Sequence, residues 1–225
     1  MPLVGQEIHV LEFEPPAELE ALIGDPAVPR TGPAVVLFAD CVDLDAWRAE
    51  PLEPQRSQWT EVAVGYHCTV RGRAATAFHY PYLLLSAARG DDAMAVADVQ
   101  LTRFHLGCPH YAEPAAGLRC EATARTWAGL PLVDMSVQLE APAPGALPDG
   151  LLLWVNRVRY PDLGTPGADL DAGVWVVPAL EPRVGDVWRG SSAGTFSAPF
   201  GWEGTVQGEG WVYGTIFGIE GGEPL

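Results

Sequence analysis

The chain has 225 residues, 48% hydrophobic and 19% charged, with 13 basic against 29 acidic side chains and a formal net charge of −16. That length supports one sizeable core, and the acidic balance excludes nucleic acid and anionic membrane as partners, because phosphate would be repelled. Every basic residue is an arginine, so no side-chain amine can form a Schiff base with a carbonyl substrate.

The start, "MPLVGQEIHVLEFEPP", lacks the basic and apolar regions of a signal peptide. The apolar runs are too short for a membrane helix. A cytoplasmic protein with reduced thiols is the expectation, and Cys41, Cys68, Cys108 and Cys120 show no C-x-x-C spacing. Residues 1–33 read as an N-terminal arm. Within it "PPAELEALIGDP" has a Pro start, acidic first-turn residues and a Gly-Asp-Pro stop, which predicts one short helix. The apolar "IHVLEF" would suit a lid over a cavity. After "RTGP", "AVVLFAD" predicts a strand, and "DCVDLDAWRAEPLEP" a short helix with an Asp cap, closed by Pro51.

Strands then dominate: "WTEVAVGYHCTVRG", "TAFHYPYLLLSAA", "AMAVADVQLTRFHL", "GLRCEATARTWAG" and "PLVDMSVQLEAP". Val133 to Leu139 alternates in polarity, which predicts a half-buried strand. Beyond the loop "APAPGALPDG" come "LLLWVNRVRY", "AGVWVVPALEP" and "GDVWRGSSAGTF". "EGTVQGEGWVYGTIFGIEG" reads as a closing pair of strands. The pattern predicts one mainly β (α+β) domain over 34–225, an antiparallel barrel or sandwich with few short helices.

Residues 34 to 218 resemble the acetoacetate decarboxylase-like superfamily. The matching pieces are "VVLFADCVDLDAWRAEPLEP", "DDAMAVADVQLTRFHLGCP", "GLRCEATARTWAGLPLVDMSVQL" and "VGDVWRGSSAGTFSAPF". The resemblance implies a cone-like antiparallel β-barrel, a buried apolar cavity and often a homo-oligomer. The catalytic motif does not carry over. Where the family has a Gly-Arg-Glu triplet, this chain reads Ala97-Asp98-Val99, and the lysine pair falls on Phe104-His105. The family also implies an active-site glutamate, and Glu61 lies near the corresponding strand.

Candidate site residues follow from that position and from residue chemistry. His105 can act as a general acid or base near neutral pH, or be a core histidine. Arg103 shares a strand face with it and can hold a carboxylate or enolate oxygen, or lie exposed. With Tyr82 these form the proposed catalytic set. Phe104, Tyr66, His79, Tyr80, Trp154 and Trp188 are the proposed substrate-binding residues. Alternation places Tyr80 and Tyr82 on one strand face and His79 on the other. The tryptophans serve either as core filling or as a cavity wall. His105, Cys108 and His110 crowd together, yet their spacing fits no zinc pattern, so no metal and no cofactor are expected. Glu121, Asp134 and Glu140 sit on strands and can act as bases, or face solvent as strand acids usually do. No Ser-His-Asp order, phosphate loop or dinucleotide fingerprint appears.

Three functions suit such a chain. The leading one is a non-covalent cyclase of natural-product (polyketide-type) biosynthesis, catalysing a Diels–Alder-type cycloaddition, a cyclisation with dehydration or a rearrangement of a flexible apolar carbonyl substrate. The second is a lyase, hydratase or decarboxylase of a small keto acid that works without a Schiff base. The third is a small-molecule-binding protein without catalysis.

Overall fold

The computed structural model describes residues 3–26, 28–49, 58–69, 76–86, 97–101, 114–126, 128–144, 151, 153–156, 175–218 and 223–224. In chain order these form β1 (Leu3–Phe13), α1 (Ala17–Ile23), β2 (Arg30–Asp43), α2 (Leu44–Ala49), β3 (Gln58–Thr69) and β4 (Thr76–Leu85). β5 (Ala97–Leu101), β6 (Arg119–Thr126), β7 (Pro131–Pro142), β8 (Leu153–Asn156) and β9 (Trp175–Pro178) follow. Then come β10 (Leu180–Phe196), a 3-10 turn at Ala198–Phe200, β11 (Gly204–Gly218) and β12 (Glu223–Pro224). The described strands form one sheet in the order β12-β9-β8-β4-β3-β2-β1-β11-β10-β7-β6-β5. Neighbours run antiparallel except β4 and β8.

The sheet curls. Thr60 Oγ1 on β3 donates to the Val99 carbonyl on β5 at 2.8 Å, although the two strands lie far apart in the sheet order. The inner face of the curl collects Leu11, Val36, Phe38, Val64, Met135, Val137, Phe196 and Val212 into one core, with Leu19 and Ile23 of α1 added. A second apolar cluster on the opposite face holds Ile8, Val10, Leu37, Ala39, Ala63, Phe78, Trp211 and Tyr213. Burial on both sides explains why β2 reads as an unbroken apolar run, "AVVLFA", rather than as alternation. Where one side faces solvent, alternation returns: Val133, Met135, Val137 and Leu139 are buried, while the residues between them are half-buried.

Two expectations change. Residues 3–13 do not lie outside the domain as an arm or lid. They form β1 between β2 and β11, with Ile8 opposite Ala39 on one side and Tyr213 on the other. Pairing both edges satisfies the backbone of an apolar segment that would otherwise bury bare N–H and C=O groups. The closing "pair" is the single 15-residue strand β11. Gly208 and Gly210 suggest a turn, yet here they permit close approach. A Cβ on Gly208 would sit 1.8 Å from the Glu12 carbonyl, and one on Gly210 would sit 2.6 Å from Val137.

The two helices keep their predicted logic. Asp43 Oδ1 accepts the N–H groups of Asp45 and Ala46 at 3.0 and 2.9 Å, capping α2. α1 is tied to the sheet by Arg30, whose guanidinium reaches Glu20 at 2.9 Å and Glu14 at 2.8 Å. The Gly24 N–H closes the helix on the Glu20 carbonyl.

Candidate functional site

The second face carries polar groups amid apolar walls. Alternation puts Gln6 of β1, Cys41 and Ala39 of β2, and Trp59 and Glu61 of β3 on this face, since Gln6 pairs with Cys41, Cys41 with Trp59, and Ala39 with Glu61. Gln6 Nε2 donates to Cys41 Sγ at 3.3 Å, and Trp59 Nε1 donates to Glu61 Oε2 at 3.1 Å. Cys41 also bonds the Glu61 carboxyl, which completes a chain from Gln6 to Trp59.

Although part of Glu61 remains accessible, its carboxyl is enclosed. Burial raises its pKa above the usual carboxylate value, against the lowering effect of the bonds from Trp59 and Cys41. Burial and then the Glu61 charge push the Cys41 thiol well up, so it is a hydrogen-bonding group rather than a thiolate nucleophile. Burial, followed by the same charge, raises the Tyr80 phenol. A carboxyl held above its usual range can hold or release a proton closer to neutral pH, as acid–base work on a carbonyl requires.

A cleft of about 520 Å³ adjoins this chain, lined by Gln6, Cys41, Gln58, Tyr213, Thr215 and Pro114, with Arg183 also on its wall. Further along the same face, Glu12 Oε1 meets His67 Nε2 at 2.5 Å.

Of the residues proposed from sequence, Arg103, Phe104 and His105 lie outside the described residues, as do Cys108 and His110 of the metal reading. Trp154 lies on β8 beside Phe78, and its side chain is outside the described set. Trp188 is half-buried and packs on the inner core. Tyr80 faces the second cluster near Glu61.

The alternation expected along β4 breaks. Val64 pairs with Tyr82 and Tyr66 with His79, so Gly65 alone opposes Tyr80 and Pro81. This bulge shifts the side-chain parity by one. Pro81 has no N–H to offer the ladder, and Gly65 lets the β4 backbone come close. Tyr82 and His79 therefore share the inner face, and Tyr80 takes the other. There His79 Nε2 lies 3.3 Å from Asp25 Oδ2, and its ring meets Tyr66 edge-on at 5.3 Å. Tyr66 Oη accepts the Asp25 N–H at 3.0 Å and donates to the Val28 carbonyl at 2.6 Å. Tyr82 Oη donates to the Leu22 carbonyl at 3.0 Å. These hydroxyls fasten α1 and its following loop to the sheet.

The sequence reading passed over Gln6, Glu12, Cys41, Trp59 and the His67 partnership. A usable signal was present in "WTEVAVGYHC", where one glutamate stands in a strand of otherwise buried character.

A curled, mostly antiparallel β-sheet with two small helices is the fold of acetoacetate decarboxylase-like enzymes, and the chain has that fold. No protein-family model matches the sequence, and neither does any curated protein. Among solved structures, the enduracididine biosynthesis enzyme MppR with HEPES buffer bound superposes with a TM-score of 0.74 at 17% identity, covering 100% of this chain and 88% of that one. MppR complexed with the condensation product of pyruvate and imidazole 4-carboxaldehyde gives 0.72 at 18% identity, over 99% and 88% of the two chains. An acetoacetate decarboxylase-like enzyme from Sphingomonas wittichii RW1 gives 0.73 at 18% identity, over 100% and 92%.

Proposed function

We propose that this chain is a biosynthetic enzyme that cyclises or dehydrates a carbonyl compound by acid–base catalysis without a covalent intermediate. One observation carries the reading: a carboxyl with a raised pKa is bonded to Cys41, which lines an apolar cleft, in a chain that has no lysine. Glu61 in its carboxylate form takes a proton from the carbon next to a carbonyl. The electron pair moves to the carbonyl oxygen as an enolate, which attacks a second carbonyl of the same molecule. Glu61, now protonated, returns the proton to the new alkoxide, and loss of water completes a dehydration. Cys41 and Trp59 hold the carboxyl in place throughout. A cycloaddition would need no titratable group, and enclosing one is costly, so acid–base chemistry suits the site better.

A second reading, a lyase of a small keto acid, draws on Arg183 at the cleft, which can pair with a carboxylate. MppR, of the same fold, has been seen with a condensation product of pyruvate.

The test is proton exchange. In D₂O the wild type should exchange the α-protons of alkyl-tailed 1,3-diketones or of pyruvate, followed by NMR. Glu61→Gln should slow this by roughly 10²–10⁴-fold. Borohydride added during turnover should leave no adduct on any side chain. Exchange that survives in Glu61→Gln overturns the role of Glu61.

A further inference from the structure

Glycine inside a strand weakens it, and it often marks a place where something approaches the backbone closely. In this sheet the approaching group is usually another strand. A Cβ on Gly65, Gly190 or Gly208 would collide with a backbone carbonyl of a neighbouring strand. Gly214 has no such neighbour, although β11 runs between β1 and β10. Its Cβ would meet only the Gln6 carbonyl, at 3.8 Å, an ordinary contact, and its φ is not positive.

The surroundings of Gly214 are bare in the same way. Val184 pairs with Thr215 and Val187 with Tyr213, so β10 bulges and sets Gly185 and Asp186 against Gly214 alone. A Cβ on Gly185 would meet only the Gly214 carbonyl, at 3.6 Å. On its other side Gly214 stands opposite Glu7. Gly5 lies on the same face of β1 as Glu7, opposite Ile216, which makes it a diagonal neighbour of Gly214 at about 7–8 Å. All three glycines line the cleft of about 520 Å³. Part of the cleft wall is therefore peptide backbone without side chains. Val42 and Leu44 border it, since they are the atoms nearest a Cβ on Gly5. Ile216 stands beside it, 43% exposed. Among the described residues three large apolar side chains are exposed, and two of them, Val184 and Ile216, line this cleft.

A patch of bare peptide groups edged by apolar side chains is shallow and flat. A planar group can lie against it at contact distance. A puckered saturated ring is held off by its axial hydrogens, and dispersion falls steeply with even a small gap. We infer that Gly5, Gly185 and Gly214 form the seat of a planar group of the substrate, and that Gly214 is a specificity-determining residue. The substrate class is a carbonyl compound conjugated to a flat unsaturated or aromatic system. The inference deepens the reading of the cleft as the place where a carbonyl substrate binds and rests on it, whereas the role of Glu61 does not enter.

The experiment measures binding by calorimetry and so does not depend on turnover. The probes are 1-phenylbutane-1,3-dione and 1-cyclohexylbutane-1,3-dione, which share the diketone and differ in the flatness of the ring. The phenyl probe should bind roughly tenfold or more tighter. A merely greasy cleft would prefer the cyclohexyl probe, whose ring is the more apolar. Gly214→Val places a side chain in the seat, and it should weaken the phenyl probe by roughly tenfold and erase the preference. Its melting temperature should not fall, because the new Cβ meets no close atom and a β-branched residue suits a strand. Gly214→Ala fills less of the patch and should show a smaller loss in the same direction, which keeps the test open if the valine variant folds poorly. Equal or tighter binding of the cyclohexyl probe, no binding of either, or a phenyl preference undiminished in both variants overturns the inference. Failure of the Glu61 reading would show instead as unaltered α-proton exchange in Glu61→Gln, whatever the two rings give.

Discussion

Replacing Tyr66 by Phe separates a structural tyrosine from a substrate-binding one. The ring is 1% exposed and packs edge-on against His79, and Phe preserves that packing. What is lost is the hydroxyl, which accepts from the Asp25 N–H at 3.0 Å and donates to the Val28 carbonyl at 2.6 Å. Both backbone groups lie in the loop that follows α1. Each bond deleted from a buried partner costs about 1–3 kcal/mol, so the variant should lose about 2–4 kcal/mol of stability. For a chain of this size that lowers the melting temperature by roughly 5–15 °C. Tyr82→Phe is the matched control. It deletes the bond to the Leu22 carbonyl and should cost about 1 kcal/mol. Urea unfolding of the two variants beside the wild type measures the difference. Ligand affinity of the remaining folded protein should not change. A loss below about 1 kcal/mol in Tyr66→Phe, or weakened ligand binding at unchanged stability, would refute the assignment of this hydroxyl to loop anchoring.

Glu61→Gln should gain stability as it loses activity. Folding raises the Glu61 pKa, so the charged form is penalised only in the native state; the penalty is absent below the ordinary value near 4.5 and grows as pH rises through the folded pKa. Urea titrations at several pH values should show the Gln variant pulling ahead of the wild type on the alkaline side of 4.5, and parallel curves would refute this. Gly65→Ala should be severely destabilising, because its Cβ would lie 1.8 Å from the His79 carbonyl and 2.7 Å from Tyr80 Cα, both backbone atoms at the bulge. Gly117→Ala meets nothing within 4 Å and carries only the strain of φ +87°, about 1 kcal/mol. Melting temperatures that fall equally in the two variants would contradict the bulge geometry.

Much of the architecture is local and was legible. Apolar runs and alternation marked β2, β3, β4, β6 and β7, and Asp43 announced α2, because pleat and cap follow from near neighbours. The resemblance extended this to the curl and its overall plan. The fates of β1 and β11 were not legible. Whether "IHVLEF" covers a fold or runs through its middle depends on two distant strands that offer it paired edges. Whether Gly208 turns the chain or accepts a neighbour depends on Glu12, almost two hundred residues earlier in sequence.

The site divides in the same way. Composition by itself settled that no lysine can act here, a matter of which atoms the chain possesses. It could not say that Glu61 would meet Cys41 and Trp59, that Glu12 would reach His67, or that one bulge at Gly65 would send Tyr80 and Tyr82 to opposite faces. Those outcomes follow from strand register, which is fixed by the packing of the whole sheet. A slip of one residue reverses which side chains are enclosed, and enclosure is what raises the Glu61 pKa and turns a strand carboxylate into a candidate acid.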